Sequence, residues 1–422
     1  MNTLLPPRPV EHLGHQSGTG PYRRVVFALF TAGIATFALL YSTQALLPEL
    51  ANGFGVTPAQ STLALSLTTA SLAIAIIVVG PVSDRFGRTA FIHVSLAAAA
   101  VIAVACALAP TWQLFLALRL VEGVALAGLP SVATAYLREE LHPATHARAA
   151  GLYVGGTALG GMAGRLVTAP IAEAAGWRWS MVAVAALGLG CALTVRLLLP
   201  PSRRFTAAPA GGRAALARLR GAVSDPGLLA LYGIGACVVG AFVAVLNTIG
   251  FRLAGAPFHM GLTAAGMVFL VYPLGTVSST VAGRLADKLG RRSVVPLGCM
   301  LAVFGLLLTL PATVPTVVAG LALLTAGFFI VHGVTSGWVP ARAHAGGVAT
   351  GQAASLYLFA YYLGSSAFGT LAAHAWSTAG WPTVVGLSLA LLAVTGVLAR
   401  VLHRTPPLTS GRSAQERDSV AL

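Results

Sequence analysis

Charge is scarce in this chain: 9% of its 422 residues are Asp, Glu, Lys or Arg, against roughly 25% in soluble domains. A water-solvated fold of this length would carry too little charged surface to stay dispersed. Lysine is almost missing, with Lys288 the single one among 26 basic residues. Acids number 11, which leaves a net charge of +15. The basic residues form no single patch, as a nucleic-acid-binding face would require. They recur in short clusters between long apolar runs. The four cysteines, Cys106, Cys191, Cys237 and Cys299, sit in apolar runs at wide spacing, which excludes a disulfide framework or metal-ligand spacing. No Gly-x4-Gly-Lys-Ser/Thr loop is present, so no ATP drive is encoded. The stretch Gly151-Leu-Tyr-Val-Gly-Gly156 follows no strand and is not a dinucleotide fingerprint. No nucleophile–base pair and no His/Cys cluster stands out, so neither an enzyme nor a cofactor is expected.

What the chain has is apolar length. It is 56% hydrophobic, with a mean hydropathy of +0.82. A bilayer core needs about 20 apolar residues per helix. Twelve runs qualify, near 25–48, 60–82, 90–109, 112–136, 148–171, 178–199, 228–251, 264–284, 293–310, 315–338, 348–373 and 381–402. The first is too long for a signal peptide and lacks a small-residue cleavage site. The expected fold is an all-α membrane protein with 12 transmembrane helices in two six-helix halves. With the N-terminus inside, only Arg178 and Arg252 fall outside, and Arg119 and Arg165 fall within spans. The other 22 of the 26 basic residues lie inside, which puts both termini in the cytoplasm by the positive-inside rule. The expected organisation is a disordered tail at 1–22, a six-helix domain at 23–199, a flexible basic linker at 200–226, a second six-helix domain at 227–402 and a tail at 403–422.

The halves repeat. Gly80-Pro-Val-Ser-Asp84-Arg85-Phe-Gly87-Arg88 realigns on Gly283-Arg-Leu-Ala-Asp287-Lys-Leu-Gly290-Arg291 at an offset of 203. Leu152-Tyr153 and Gly176-Trp177 realign on Leu356-Tyr357 and Gly380-Trp381 at an offset of 204. Such duplication builds a transporter with its site between the halves. In each loop an Asp near a helix end and guanidinium groups suit either a breakable lock between halves or an ordinary polar turn.

The Gly80–Arg88 loop and its second copy resemble the signature loop of the major facilitator superfamily. The resemblance covers about residues 25–402. It implies an N-domain, a C-domain and rocking alternating access, with Gly80, Asp84, Arg85, Gly87, Arg88, Gly283, Asp287, Gly290 and Arg291 as a conformational gate. Within the superfamily the chain is similar to the drug:proton antiporter and arabinose-efflux-permease-like branch. The Gly-rich fifth span and the stretch Gly351–Ser366 carry that similarity. Arg165 stands where the antiporter pattern has Pro.

The fourth span carries Arg119 and Glu122, three apart and on one helix face. By helical rise they lie about 10 and 15 Å deep. Ionisable groups at such depth face a cavity or a partner. Glu122 is the leading proton carrier, and a static ion pair is the alternative. Arg165, about 25 Å from the end near Arg148, is expected to join Arg119 and Glu122 in one proton-coupling network. The matching C-half positions are Gly369, Ala322 and Thr325, so the N-half carries coupling. The resemblance makes Gln44, Asn247 and His332 substrate contacts. Gln352, Tyr357 and Tyr361 join them as polar and aromatic groups in the eleventh span, and His332 is the second proton-carrier candidate. The chain is thus expected to be a monomer in the bacterial inner membrane. It would use the proton gradient, without a cofactor, to export small organic molecules or drugs. A sugar or metabolite permease, or a non-transporting sensor, remains open.

Overall fold

The computed structural model describes residues 14–203, 205 and 219–406. Most of the expected tails and the centre of the expected linker lie outside those residues. The end of the 1–22 stretch, expected to be disordered, is held in place where it is described. His15 donates its N–H to the Glu140 carbonyl at 2.9 Å and accepts from the His142 N–H at 3.1 Å.

Among the described residues the first half holds nine α-helices: α1 (Gly20–Tyr41), α2 (Leu47–Phe54), α3 (Pro58–Ser61), α4 (Leu63–Phe86), α5 (Arg88–Ala107), α6 (Trp112–Leu126), α7 (Gly128–Glu140), α8 (His146–Ala175) and α9 (Trp177–Leu198). The second half holds α10 (Pro226–Ala254), α11 (Leu262–Gly266), α12 (Tyr272–Leu289), α13 (Arg291–Leu308), α14 (Val314–Ala345), α15 (Thr350–Ala379) and α16 (Trp381–Arg404). Polar caps set several starts. Thr57 and Gln60 form a reciprocal capping box, and the Asp225 carboxylate accepts from the Leu228 N–H at 2.7 Å. Several apolar runs are broken helices: α1 gives way to a 3-10 turn at Gln44–Leu46 before α2, and α6 breaks into α7 at Ala127.

Ten helical stretches among the described residues are long and apolar enough to cross a membrane. The other two long helices, α8 and α15, have 30 residues each and are diluted by Gly, Ser, Thr and Tyr. Those small residues permit close packing. A Cβ on Gly156 or Gly160 would strike the backbone of Phe30 or Ile34 on α1, and one on Gly164 would lie 2.5 Å from the Ala38 carbonyl. Small residues at four-residue spacing bring helix backbones together in this way.

The pseudo-symmetry is visible in the neighbours. α1 packs along α8 as α10 packs along α15, α4 meets α6 as α12 meets α14, and α5 meets α9 as α13 meets α16. The halves join along two seams, α4 against α15 and α8 against α11 and α12. The turns also repeat. Gly87 and Gly290 have φ of 98° and 82°, and Gly176 and Gly380 have 88° and 74°. Each lets two antiparallel helices meet over a single residue in a conformation that L side chains avoid.

Candidate substrate and coupling site

The break after α1 exposes carbonyls in mid-bundle, and α6 supplies their donors. Arg119 and Glu122 are both fully buried. Arg119 Nε donates to the Ala64 carbonyl at 2.9 Å, Nη2 to Leu40 at 3.0 Å and Nη1 to Leu39 at 3.4 Å. Nη1 also pairs with Glu122 Oε2 at 2.6 Å, while Oε1 of that carboxylate has no hydrogen-bond partner. The pair expected from the i, i+3 spacing is therefore formed, and it ties α6 to the end of α1 and the start of α4.

Arg165 is not part of it. No hydrogen bond or ion pair joins Arg165 to Arg119 or Glu122 among the described residues, so the three-residue network resolves into two sites. Helix α8 places Arg165 on the far side of the α1 break. Its Nε donates to Gln44 Oε1 at 2.6 Å and its Nη1 donates to the Gly161 carbonyl. Gln44 Nε2 in turn donates to Asn247 Oδ1 on α10 at 2.6 Å. The guanidinium lies 4.3 Å from the Tyr41 ring centre, 4.6 Å from that of Tyr272 and 5.1 Å from that of Phe269. Two sequence-predicted substrate residues, Gln44 and Asn247, thus meet each other across the halves.

Gly369 explains how. It is the C-half counterpart of Arg165, and a Cβ there would come within 2.6 Å of Asn247 Nδ2. Asn247 therefore occupies beside a glycine the place that Gln44 occupies beside an arginine.

His332, Tyr357 and Tyr361 come together as a second group. His332 Nδ1 is 2.9 Å from the Tyr357 hydroxyl, which also meets Thr335 Oγ1 at 3.0 Å. The imidazole stacks on Phe328 at 5.6 Å and lies 4.9 Å from Tyr361. Gln352 lies in the first turn of α15, and its side chain makes no hydrogen bond among the described residues. Sequence reasoning missed Phe242, Tyr272, Phe328 and Phe329, which pack ring to ring between Arg165 and His332. The only signal was their position on the seventh, eighth and tenth spans.

The gate residues split between the halves. Arg88 pairs with Asp84 at 2.5 Å and with Glu139 on α7 at 2.9 Å. Asp287 and Arg291 form no ion pair among the described residues. Gly80 and Gly283 have open space where a Cβ would stand. No hydrogen bond or ion pair among the described residues joins the halves at this basic end. The cross-half bonds lie mid-bundle or at the opposite end: Gln44 to Asn247, Ser366 and Thr370 to Ser66, and the Thr263 N–H to Glu173 at 2.6 Å. These seam residues were also missed, being single polar groups in apolar runs. Among the described residues the polar bonds between the halves thus lie mid-bundle and at the end opposite the signature loops.

The sequence pattern of the Major Facilitator Superfamily matches residues 25–369 and, a second time, residues 255–421. The MFS-type transporter YybF of Bacillus subtilis is 37% identical over 94% of this chain and 98% of its own length. The chain belongs to the major facilitator superfamily. The inner membrane transport protein YnfM of Escherichia coli is 39% identical over 92% of both chains. Among solved structures, a bacterial homologue of the human lysosomal transporter Spinster, inward-facing and occupied, superposes with a TM-score of 0.72 at 16% identity. It covers 92% of this chain and 98% of that one. This superfamily member is a multi-pass membrane transporter of small organic molecules, not an enzyme. Among the described residues no His/Cys/Asp/Glu cluster is placed to hold a metal ion.

Proposed function

We propose that the chain is a proton-coupled exporter of small organic molecules, drugs included, working by alternating access as a monomer in the bacterial inner membrane. On this reading twelve spans form two six-helix halves, α8 and α15 among them. The basic end with both termini is cytoplasmic, and the state described is open to the cytoplasm. The inner-membrane setting that the name of YnfM carries and the crowding of Arg at one end support that placement.

The observation that carries the coupling is the position of Arg119. It holds Glu122 and the carbonyls of Leu39 and Leu40 at once, and Leu40 lies one helical turn before Gln44, the centre of the seal. Protonation of Glu122 leaves those carbonyls and that of Ala64 as the main partners of Arg119. Its grip on the end of α1 tightens, and the sealed state is favoured. Loss of the proton, with substrate bound, favours the other state. A ligand shifts such an equilibrium only by its differential affinity for the two states.

A sugar or metabolite importer is the second reading, favoured by Arg165 in place of the antiporter Pro. The test is purified protein in liposomes with a trapped pH-sensitive dye, an imposed proton gradient, and panels of drugs and sugars. Compound-evoked proton movement that disappears in Glu122→Gln supports the exporter. Compound flux without proton movement refutes coupling, and concentrative uptake into right-side-out vesicles reverses the direction.

A further inference from the structure

Arg119 and Arg165 are two fully buried arginines with opposite circumstances. Arg119 has a carboxylate at 2.6 Å. Arg165 has none: no ion pair to it exists among the described residues. A buried guanidinium ordinarily pairs with an acid, because desolvation leaves its charge uncompensated. Three rings offset this only in part. Moreover Arg165 Nη2 makes no hydrogen bond, and neither does Asn247 Nδ2. Gln44 links these two residues, so two buried donors with unspent hydrogens, one from each half, belong to a single chain of side chains.

The surroundings state what would satisfy them. From Arg165 an unbroken strip of rings runs to His332. Tyr272 meets Phe242 at 5.9 Å and Phe329 at 6.0 Å, Phe242 stacks on Phe328 at 4.2 Å, and Phe328 stacks on His332. No acid faces this strip. Of the described acids only Glu122 lies in mid-bundle, and Arg119 holds it; the others stand at the two ends. An aromatic strip alone would attract organic cations, but an unpaired Arg at its head repels them.

The geometry points to Arg165 as the binding group for the carboxylate of an aromatic organic acid, with the strip from Tyr272 to His332 holding its apolar body. This rests on the transport reading above and names its substrate class. An acid entering from the basic end meets Tyr41 and Tyr272, 6% and 8% exposed, which cover the guanidinium. Its carboxylate takes the free Nη2 and competes with Gln44 for Nε. Gln44 is then loosened from Arg165 at the point where it bonds Asn247, so binding acts on the seal itself.

The test is thermal unfolding and titration of the full chain in nanodiscs with benzoate, 4-hydroxybenzoate and 2-naphthoate. Their carboxamides, benzylamine and sodium chloride serve as comparisons. Expected are stabilisation by at least one of the carboxylates and none by its amide, by benzylamine or by chloride alone. That binding should fall at least tenfold in Arg165→Gln, recover in part in Arg165→Lys, and weaken severalfold in Asn247→Leu, which keeps the charge. Amides or benzylamine binding as well as carboxylates, chloride reproducing the effect, carboxylate binding intact in Arg165→Gln, or no binding by any of the acids would each overturn the assignment. Proton-coupled flux of neutral or cationic compounds, lost in Glu122→Gln, would do so too while leaving the transport reading in place.

Discussion

Gln44 donates a hydrogen bond to Asn247 at 2.6 Å, and the two residues are 203 positions apart, the offset that aligns the two signature loops. The repeat mates meet on the pseudo-symmetry axis. Both are 2% exposed, so the bond lies out of water and, on the alternating-access reading, holds the halves where they would part. Replacing either residue by Leu removes it and leaves a buried amide partly unsatisfied, a cost of about 1–3 kcal/mol. The expected result is a shift towards the state open at the opposite end. A cysteine placed at Thr263 in a cysteine-free background should then react severalfold faster with a membrane-impermeant maleimide.

The Arg119–Glu122 pair makes a stability prediction separate from coupling. Removing one partner of a buried pair costs about 3–5 kcal/mol, whereas removing both with apolar replacements costs far less. Glu122→Leu and Arg119→Met should each lower the unfolding temperature, and the double variant should recover much of the loss. A double-mutant cycle in detergent measures this. Strict additivity of the two losses would mean that the pair does not act as a unit.

The signature-loop glycines divide by role. Gly87 and Gly290 have positive φ, so Ala at either is strained, at about 1–3 kcal/mol. At Gly80 and Gly283 a Cβ would have nothing within 4 Å in this structure. Gly80→Leu should therefore keep the wild-type unfolding temperature and lose transport, because the bulk matters only when the basic end closes. Equal destabilisation by Gly87→Ala and Gly80→Leu would contradict that division.

Asp225 offers a pH test outside the spans. Partial burial opposes its charge, but hydrogen bonds from Arg342 and from the Leu228 amide outweigh it and hold the carboxyl below its ordinary value of 3.8. A depressed folded-state value stabilises above the unfolded one and loses that contribution as pH falls through the folded one. Asp225→Asn keeps the cap but loses the ion pair with Arg342, so it should cost about 1 kcal/mol at pH 7, and the gap to wild type should close below about pH 4. Unfolding followed from pH 3 to 8 checks this.

The helices were legible because apolar length and Gly, Pro and Thr punctuation are local properties. The Arg119–Glu122 pair was legible because both residues share one helix and a fixed spacing. Arg165 was misplaced for the complementary reason. Depth along α8 does not say on which side of the α1 break the side chain emerges, and that break, at Gln44–Leu46, sits inside an apolar run that reads as continuous. Gln44 and Asn247 were found as polar residues in mid-span, but their meeting depends on Gly369 leaving room on a third helix. The ring strip needed tertiary placement altogether, since its members come from α10, α12, α14 and α15.

The link from Glu122 through Arg119 to the seal is tested most directly by a distance across the opposite end. Spin labels at Asn52 and Ala312, both exposed there, report separation of the halves in nanodiscs as pH is varied. The wild type should show the long-distance population growing as pH rises, while Glu122→Gln should keep the short distance at every pH. An identical pH response in the two proteins, or none in the wild type, would contradict the proposed coupling.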